Sequence, residues 1–221
     1  MRRAAQAGRE VGRAGPATRG FALFAEVLAV GVMIAVSSLG VCTVLGALAA
    51  GCTSLRECVE HDKPVGPRRF AGLLADALHG GPVVLLAPPA LLAVTGLDLL
   101  AWRAGMPDGR VLGPAALAGA LAAATIATRA AAAWRPSSAG TGPGYSSAPA
   151  RPTWARLLSE TGREALEDWR GSALIAGALA ATVVLGLDLP VLLPVLPGLL
   201  ALAAVAVRGR GDAAPERRGS A

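Results

Sequence analysis

The sequence predicts an all-α fold, a polytopic bundle of about six transmembrane helices with two cytoplasmic interfacial amphipathic helices. The 221 residues are 53% hydrophobic before 28 glycines are counted, and only 16% of them are charged. Soluble domains have about 45–50% apolar residues with glycine included and about 25% charged residues. The net charge of +6 is accompanied by only 4% aromatic residues, so the composition does not favour a nucleic-acid-binding protein.

Six apolar stretches form three consecutive hairpins. A span needs about 20 apolar residues to cross about 30 Å of hydrocarbon, and the first apolar run, from Phe21 to Cys52, is too long for one crossing. Ser37, Ser38 and Gly40 near its middle are typical of a tight turn. The predicted spans are Phe21–Ser38, Val41–Leu55, Pro82–Trp102, Val111–Ala133, Ser172–Leu187 and Pro190–Val207.

Prolines and small residues distinguish particular spans. Pro88 and Pro89 are expected to kink the third span, and Pro194 and Pro197 to break the sixth. The fourth span is rich in alanine and glycine, and such small residues let helices approach one another closely in lipid.

The basic residues predict the orientation of the spans. With the N-terminus inside, 19 of the 21 lysines and arginines fall on the inner side, and only Arg103 and Arg110 fall outside. An excess of lysine and arginine is typical of cytoplasmic loops. We therefore expect a multi-pass protein of the plasma membrane with both termini cytoplasmic and with anionic lipid at its inner face.

Two amphipathic helices are predicted on the cytoplasmic side. Phe70 and Leu73 belong to one apolar stripe at helical spacing, and Trp154 and Leu157 belong to the other. Charged residues, among them Asp168, lie on the opposite faces. Each helix is expected to lie in the membrane interface and to lead into a hairpin of two spans.

The chain also matches itself at an offset of 90 residues. Val94–Leu99 corresponds to Val184–Leu189, and Gly81 and Gly171 precede the two related spans. A parallel repeat of this kind is typical of transporter-like membrane proteins, whereas shared alanine-rich composition is the alternative explanation.

The chain is predicted to consist of six consecutive segments. They are a basic tail (1–20), the first hairpin (21–55), a loop with an amphipathic helix and the second hairpin (56–133), a flexible glycine- and proline-rich linker (134–152), an amphipathic helix with the third hairpin (153–207) and a second cytoplasmic tail (208–221).

Three acidic residues in or near the spans are candidate functional residues. Glu26, inside the first span, would bind a cation or a proton, or else reach back to the interface. Asp98 and Asp188, which the repeat relates to each other, would cap helices and turns or form a shared site on the outer side.

The sequence contains no motif for catalysis or for a cofactor. The three cysteines, Cys42, Cys52 and Cys58, are an odd number and are expected to be free thiols. Cys58 and His61 have a ligand-like spacing, but two ligands do not make a zinc site. We therefore expect no enzymatic activity, no cofactor and no metal.

The segment from Ser37 to Leu78 carries a family resemblance. Its turn, S-S-L-G-V-C-T-V-L-G-A-L-A-A-G, and the basic loop and helix that begin at Arg56 resemble the YesL-like family of bacterial integral membrane proteins, with Gly40 where that family has proline. The family has no established molecular activity. Some members are encoded beside carbohydrate-uptake genes, so the resemblance implies an accessory or regulatory role with ABC-type sugar transporter components.

Two other functions stay open. The repeat and the proline-containing spans favour a small transporter or channel in its own right, although the spans contain few polar side chains. The basic inner face, which includes Arg68, Arg69 and Arg163, favours a structural membrane protein that holds anionic lipid.

Overall fold

The structure is a computed structural model that describes residues 16–61, 66–105, 109–136, 153–189, 192 and 194–218. These residues form eight α-helices and no strand. The helices are α1 (Pro16–Ser37), α2 (Val44–His61), α3 (Pro67–Leu78), α4 (Pro82–Arg103), α5 (Gly109–Ala133), α6 (Trp154–Glu167), α7 (Trp169–Asp188) and α8 (Leu196–Arg218). The predicted all-α fold is therefore confirmed for this part of the chain, and most of the predicted linker (137–152) lies outside the described residues.

Four helices are long and apolar enough to cross a membrane. They are α2 with the turn before it, α4, α5 and α7. The apolar parts of α1 and α8, Leu23–Ser37 and Leu196–Gly209, are shorter and measure about 21–23 Å at 1.5 Å per residue.

The turn between α1 and α2 lies where the sequence predicts it. α1 ends at Ser37, and one 3-10 turn, Val41–Thr43, leads into α2. The Thr43 hydroxyl lies 2.6 Å from the carbonyl oxygen of Gly40 and also contacts that of Ser37. The contact with Ser37 therefore satisfies one of the carbonyl groups that the C-terminal end of α1 leaves unpaired.

α2 extends to His61, six residues beyond the predicted end of this span at Leu55. Arg56, Glu57 and Glu60 are good helix formers, so the charged segment continues the helix instead of opening a loop. The guanidinium of Arg56 donates a hydrogen bond to the carbonyl oxygen of Ala132 at the end of α5.

α2 is also the central helix of the bundle, because it packs against α1, α3, α4, α5 and α8. Its buried side chains include Leu45, Cys52 and Leu55. Burial of this helix among five others explains why its apolar residues occur around the whole circumference and not on one stripe.

Both segments predicted as amphipathic form helices whose apolar faces pack on the bundle. Phe70, Leu73 and Ala77 of α3 are buried, and α3 lies along α2. In α6, Trp154 stacks on Trp134, with ring centroids 6.4 Å apart and an interplanar angle of 6°. Trp134 is therefore buried beneath α6.

Asp168 joins α6 to α7. It was expected on the polar face of the amphipathic helix, but α6 ends at Glu167 and α7 begins at Trp169. The Oδ1 atom of Asp168 accepts a hydrogen bond of 3.1 Å from the backbone N–H of Gly171. The carboxylate thus caps the N-terminus of α7, where a negative charge is also favoured by the helix dipole.

α8 begins at Leu196 and not at the predicted Pro190. Pro194 lies in the turn before the helix, while Pro197 lies in its first turn, where a missing N–H group has no helical partner to lose. α8 crosses α1 closely, since a Cβ atom on Gly31 would lie 2.6 Å from the carbonyl oxygen of Pro194 and 3.2 Å from the N atom of Gly198.

Candidate functional site

A large apolar cavity lies between the helices of the bundle. Its volume is about 790 Å³, within the range of about 300–1,000 Å³ that is usual for ligand pockets. One side chain from each of six helices illustrates its lining, namely Ile34 (α1), Leu48 (α2), Leu91 (α4), Ala124 (α5), Leu179 (α7) and Leu200 (α8).

The small residues of α5 help to create this space. Ala123, Ala124 and Ala127 all line the cavity, so at these positions the alanines leave room where close helix contact was expected. Among the polar lining residues, the Thr128 hydroxyl donates to the Ala124 carbonyl oxygen at 2.8 Å, and the Thr182 hydroxyl is bonded within α7 in the same way. The cavity therefore offers almost no free donor to a ligand.

The energetics favour an apolar occupant for this cavity. The cavity is partly open at the surface of the bundle, and its lining is almost entirely apolar, so an occupant gains contacts there by dispersion and apolar burial and not by hydrogen bonds. Water is a poor filler, because apolar cavities with few polar partners stay dry. Hydrocarbon is the chemistry that the lining accommodates best.

A second, polar pocket lies one helical turn away along the same helices. Its volume is about 180 Å³. On α5 the lining passes from Thr128 to Ala132, and on α8 it passes from Leu200 to Ala204. Four residues of α-helix rise by about 6 Å, so the two cavities follow each other along α5, α7 and α8.

Arg129 and Asp168 form one wall of the polar pocket. The Nη1 atom of Arg129 lies 3.2 Å from Oδ2 of Asp168 and 3.1 Å from Oγ of Ser172. The side chain of Arg129 is only 14% exposed. This hydrogen-bonded ion pair ties the end of α5 to the junction of α6 and α7, while Glu164 and Arg208 complete the charged lining.

Three further arginines meet at this end of the bundle, and we call Arg56, Arg135 and Arg208 the basic cluster. Arg56 donates a hydrogen bond to the carbonyl oxygen of Ala132, and Ala132 lines the polar pocket together with Arg208. Arg135 follows Ala132 by three residues, and Glu60 offsets part of the positive charge around Arg56. Among the described residues, no member of the basic cluster forms an ion pair. Positive charge therefore accumulates on a partly buried surface, which is a suitable environment for an anion.

The basic cluster could not be predicted from the sequence, because each of its arginines is more than 70 residues away from the next one along the chain. The distribution of basic residues predicts that all three arginines lie on the cytoplasmic side of the membrane, but it does not predict that they are neighbours in space. The small residues of α5 and the position of Arg129 near the end of a span were the only signals for the two cavities.

The acidic residues predicted as candidates lie elsewhere. Glu26 is a partly buried residue of α1, Asp98 is partly buried on α4, and Asp188 is the exposed last residue of α7. None of the three lines either cavity. No hydrogen bond or ion pair joins Asp98 to Asp188, and each lies on a helix that packs against α5.

The cysteines lie apart from both cavities. Cys42 is exposed, Cys58 is partly buried, and the buried Cys52 thiol lies 3.9 Å from the carbonyl oxygen of Ala201. Within the described ranges, no group of three histidine, cysteine, aspartate or glutamate residues is placed to hold a metal ion.

Comparison of the chain with protein-family models, with curated proteins and with solved structures finds no match. The YesL-like resemblance therefore remains an expectation from the sequence, and the site rests on the two cavities and the basic cluster.

Proposed function

We propose that this chain is a non-catalytic, six-span protein of the plasma membrane whose basic end faces the cytoplasm and holds anionic lipid. The observation that carries the proposal is the basic cluster, in which three arginines from distant parts of the chain lie around Ala132 at one end of the bundle and form no ion pair among the described residues. Arginine side chains near an anionic leaflet contribute about 1 kcal/mol each to its attraction.

The six-span arrangement requires that α1 and α8 also cross the membrane. Their apolar parts are shorter than the bilayer core of about 30 Å. Short spans are accommodated when the bilayer thins locally and when long basic side chains extend to the interface. Both helices pack against the central α2, which supports a common depth for the three.

The apolar cavity weighs against a transport pathway for sugars or ions. Such substrates need hydrogen-bond partners along their path, whereas the hydroxyls of Thr128 and Thr182 in the lining are already bonded to their own helix. An accessory role beside ABC-type sugar transporter components rests on the family resemblance alone, and a lipid-holding protein is compatible with it.

The orientation is tested by labelling native cysteines in intact cells. Cys42 precedes α2 and Cys58 lies near its C-terminal end, about 24 Å away by helical rise. In variants that keep only one of them, a membrane-impermeant maleimide is expected to label Cys42 from outside and Cys58 only after permeabilisation. The reverse pattern would contradict the proposed orientation.

The lipid preference is tested in vesicles with spin-labelled lipids. The purified full chain is expected to immobilise phosphatidylglycerol more than phosphatidylcholine. Neutralising Arg56, Arg135 and Arg208 together with glutamine should lower this preference by at least about fivefold, the factor for roughly 1 kcal/mol. The matched control neutralises the exposed arginines Arg156, Arg163 and Arg170. An equal loss in both triple variants would refute the assignment to the basic cluster.

A further inference from the structure

We propose that the two cavities form one binding site for an anionic phospholipid, with one acyl chain in the apolar cavity and the phosphate at the polar pocket. The inference rests on the proposed function, because it requires anionic lipid at the basic end. It goes further by assigning a specific site inside the bundle in place of a general attraction to the surface.

The apolar cavity and the polar pocket follow each other in the same order as the acyl chain and the phosphate of a phospholipid. Both are lined by residues of α5, α7 and α8, and along these helices the lining changes from Leu179 and Leu200 to Ile175 and Ala204 within one helical turn. A molecule that follows these helices meets hydrocarbon first and charge about 6 Å further on.

Arg208 connects the polar pocket to the basic cluster. It lines the pocket and lies close enough to Arg56 for their charges to interact. A guanidinium group offers a planar fork of donors that matches two oxygens of a phosphate. The acidic residues of the pocket are Glu164, which is exposed, and Asp168, which is already bonded to Arg129 and to the N–H of Gly171.

The apolar cavity selects the acyl chain by its lack of donors. Its volume of about 790 Å³ is lined by leucine, alanine, valine, isoleucine and proline with few hydroxyls. A polar metabolite would lose hydrogen bonds to water there without replacing them, and that loss is costly. A hydrocarbon chain loses none.

The test uses phosphatidylglycerol that carries a diazirine near the end of one acyl chain, with the full-length protein in phosphatidylcholine nanodiscs. After irradiation, mass spectrometry maps the labelled residues. Labels are expected at Ala124, Leu179 and Leu200 in preference to the lipid-exposed Leu97 and Leu187, which are 67% and 80% exposed. Labels confined to the two exposed leucines in folded protein would overturn the proposal.

Two cavity-filling variants and one control sharpen this result. Ala124→Trp should abolish labelling inside the cavity, and Leu187→Trp, which adds the same ring on an exposed face, should leave it unchanged. If Ala124→Trp does not fold, as judged by circular dichroism and gel filtration, Ala127→Phe takes its place. Persistent cavity labelling in a folded filled variant would refute the site.

The headgroup is tested with Arg208→Gln. The variant should lower the preference of cavity labelling for phosphatidylglycerol over the same probe on phosphatidylcholine by about fivefold. An unchanged preference would refute the assignment of the phosphate to this pocket. Cavity labelling that persists when spin-labelled lipids show no anionic preference would instead contradict the proposed function and leave an acyl-chain site.

Discussion

The crossing of α1 and α8 allows a prediction in which the same substitution has opposite effects at two glycines. A Cβ atom on Gly198 would contact the carbonyl oxygen of Val27 and would lie 3.0 Å from the Cα atom of Gly31. Both neighbours are backbone, so neither can move aside without separating the helices. At Gly177 on α7, by contrast, a Cβ atom would meet nothing within 4 Å.

The magnitudes follow from two competing effects. Replacing glycine by alanine inside a helix stabilises it by about 0.8–1.0 kcal/mol. Overpacking a tight contact costs about 1–3 kcal/mol, and a clash with backbone belongs at the upper end of that range. We therefore expect Gly198→Ala to lower the free energy of unfolding by about 1–2 kcal/mol and Gly177→Ala to raise it by up to about 1 kcal/mol.

The assay is thermal unfolding in one detergent, followed by tryptophan fluorescence. A change of 1 kcal/mol shifts Tm by about 2–4 °C in a chain of this size. Gly198→Ala should therefore melt several degrees below the parent protein, and Gly177→Ala should melt at or above it. If both alanine variants melt at the same temperature, then α1 and α8 do not meet closely at Gly31 and Gly198, and the reasoning is refuted.

Three further predictions concern single contacts. Arg129→Gln should lower the free energy of unfolding by about 1–3 kcal/mol, since it removes a charge-assisted hydrogen bond, and urea titration checks this. Trp154→Phe loses the 3.2 Å bond from its Nε1 atom to the Ala77 carbonyl oxygen, so its Tm should fall by the equivalent of about 1 kcal/mol; an unchanged Tm would contradict the burial of α6. In detergent, a maleimide should react quickly with the exposed Cys42 and only after unfolding with the buried Cys52, as intact-mass measurements would show.

The sequence predicts the helices well where their apolar runs are bounded by turn residues. The turn between α1 and α2 follows from two serines and a glycine, and α4 follows from an apolar run that begins at Pro82. The observed helices differ from the predicted spans where a charged residue or a proline marks the expected boundary. In the sequence, the charged Arg56 favours a loop after the apolar run. In the structure, α2 continues through Arg56, whose guanidinium donates a hydrogen bond to the carbonyl oxygen of Ala132.

The site was much harder to predict than the helices. An alanine in a span allows a neighbouring helix to approach closely, but it can also leave a cavity. Which of the two occurs depends on helices that are distant in the sequence. Ala124 illustrates this, since the cavity beside it is also lined by residues of α1, α4, α7 and α8. Rare acidic residues such as Glu26 attract attention in a sequence, yet they lie outside both cavities.

The central position of α2 has a consequence for the order of assembly. Two of its partners are synthesised much later than α2 itself, because Ala132 follows Arg56 by 76 residues and Ala201 follows Cys52 by 149 residues. Until α5 and α8 are synthesised, α2 can pack only against α1, α3 and α4, and the surfaces that α5 and α8 cover stay open. Completion of the core around α2 therefore depends on α8, and a truncation before Leu196 would leave α2 exposed along the side that α8 covers.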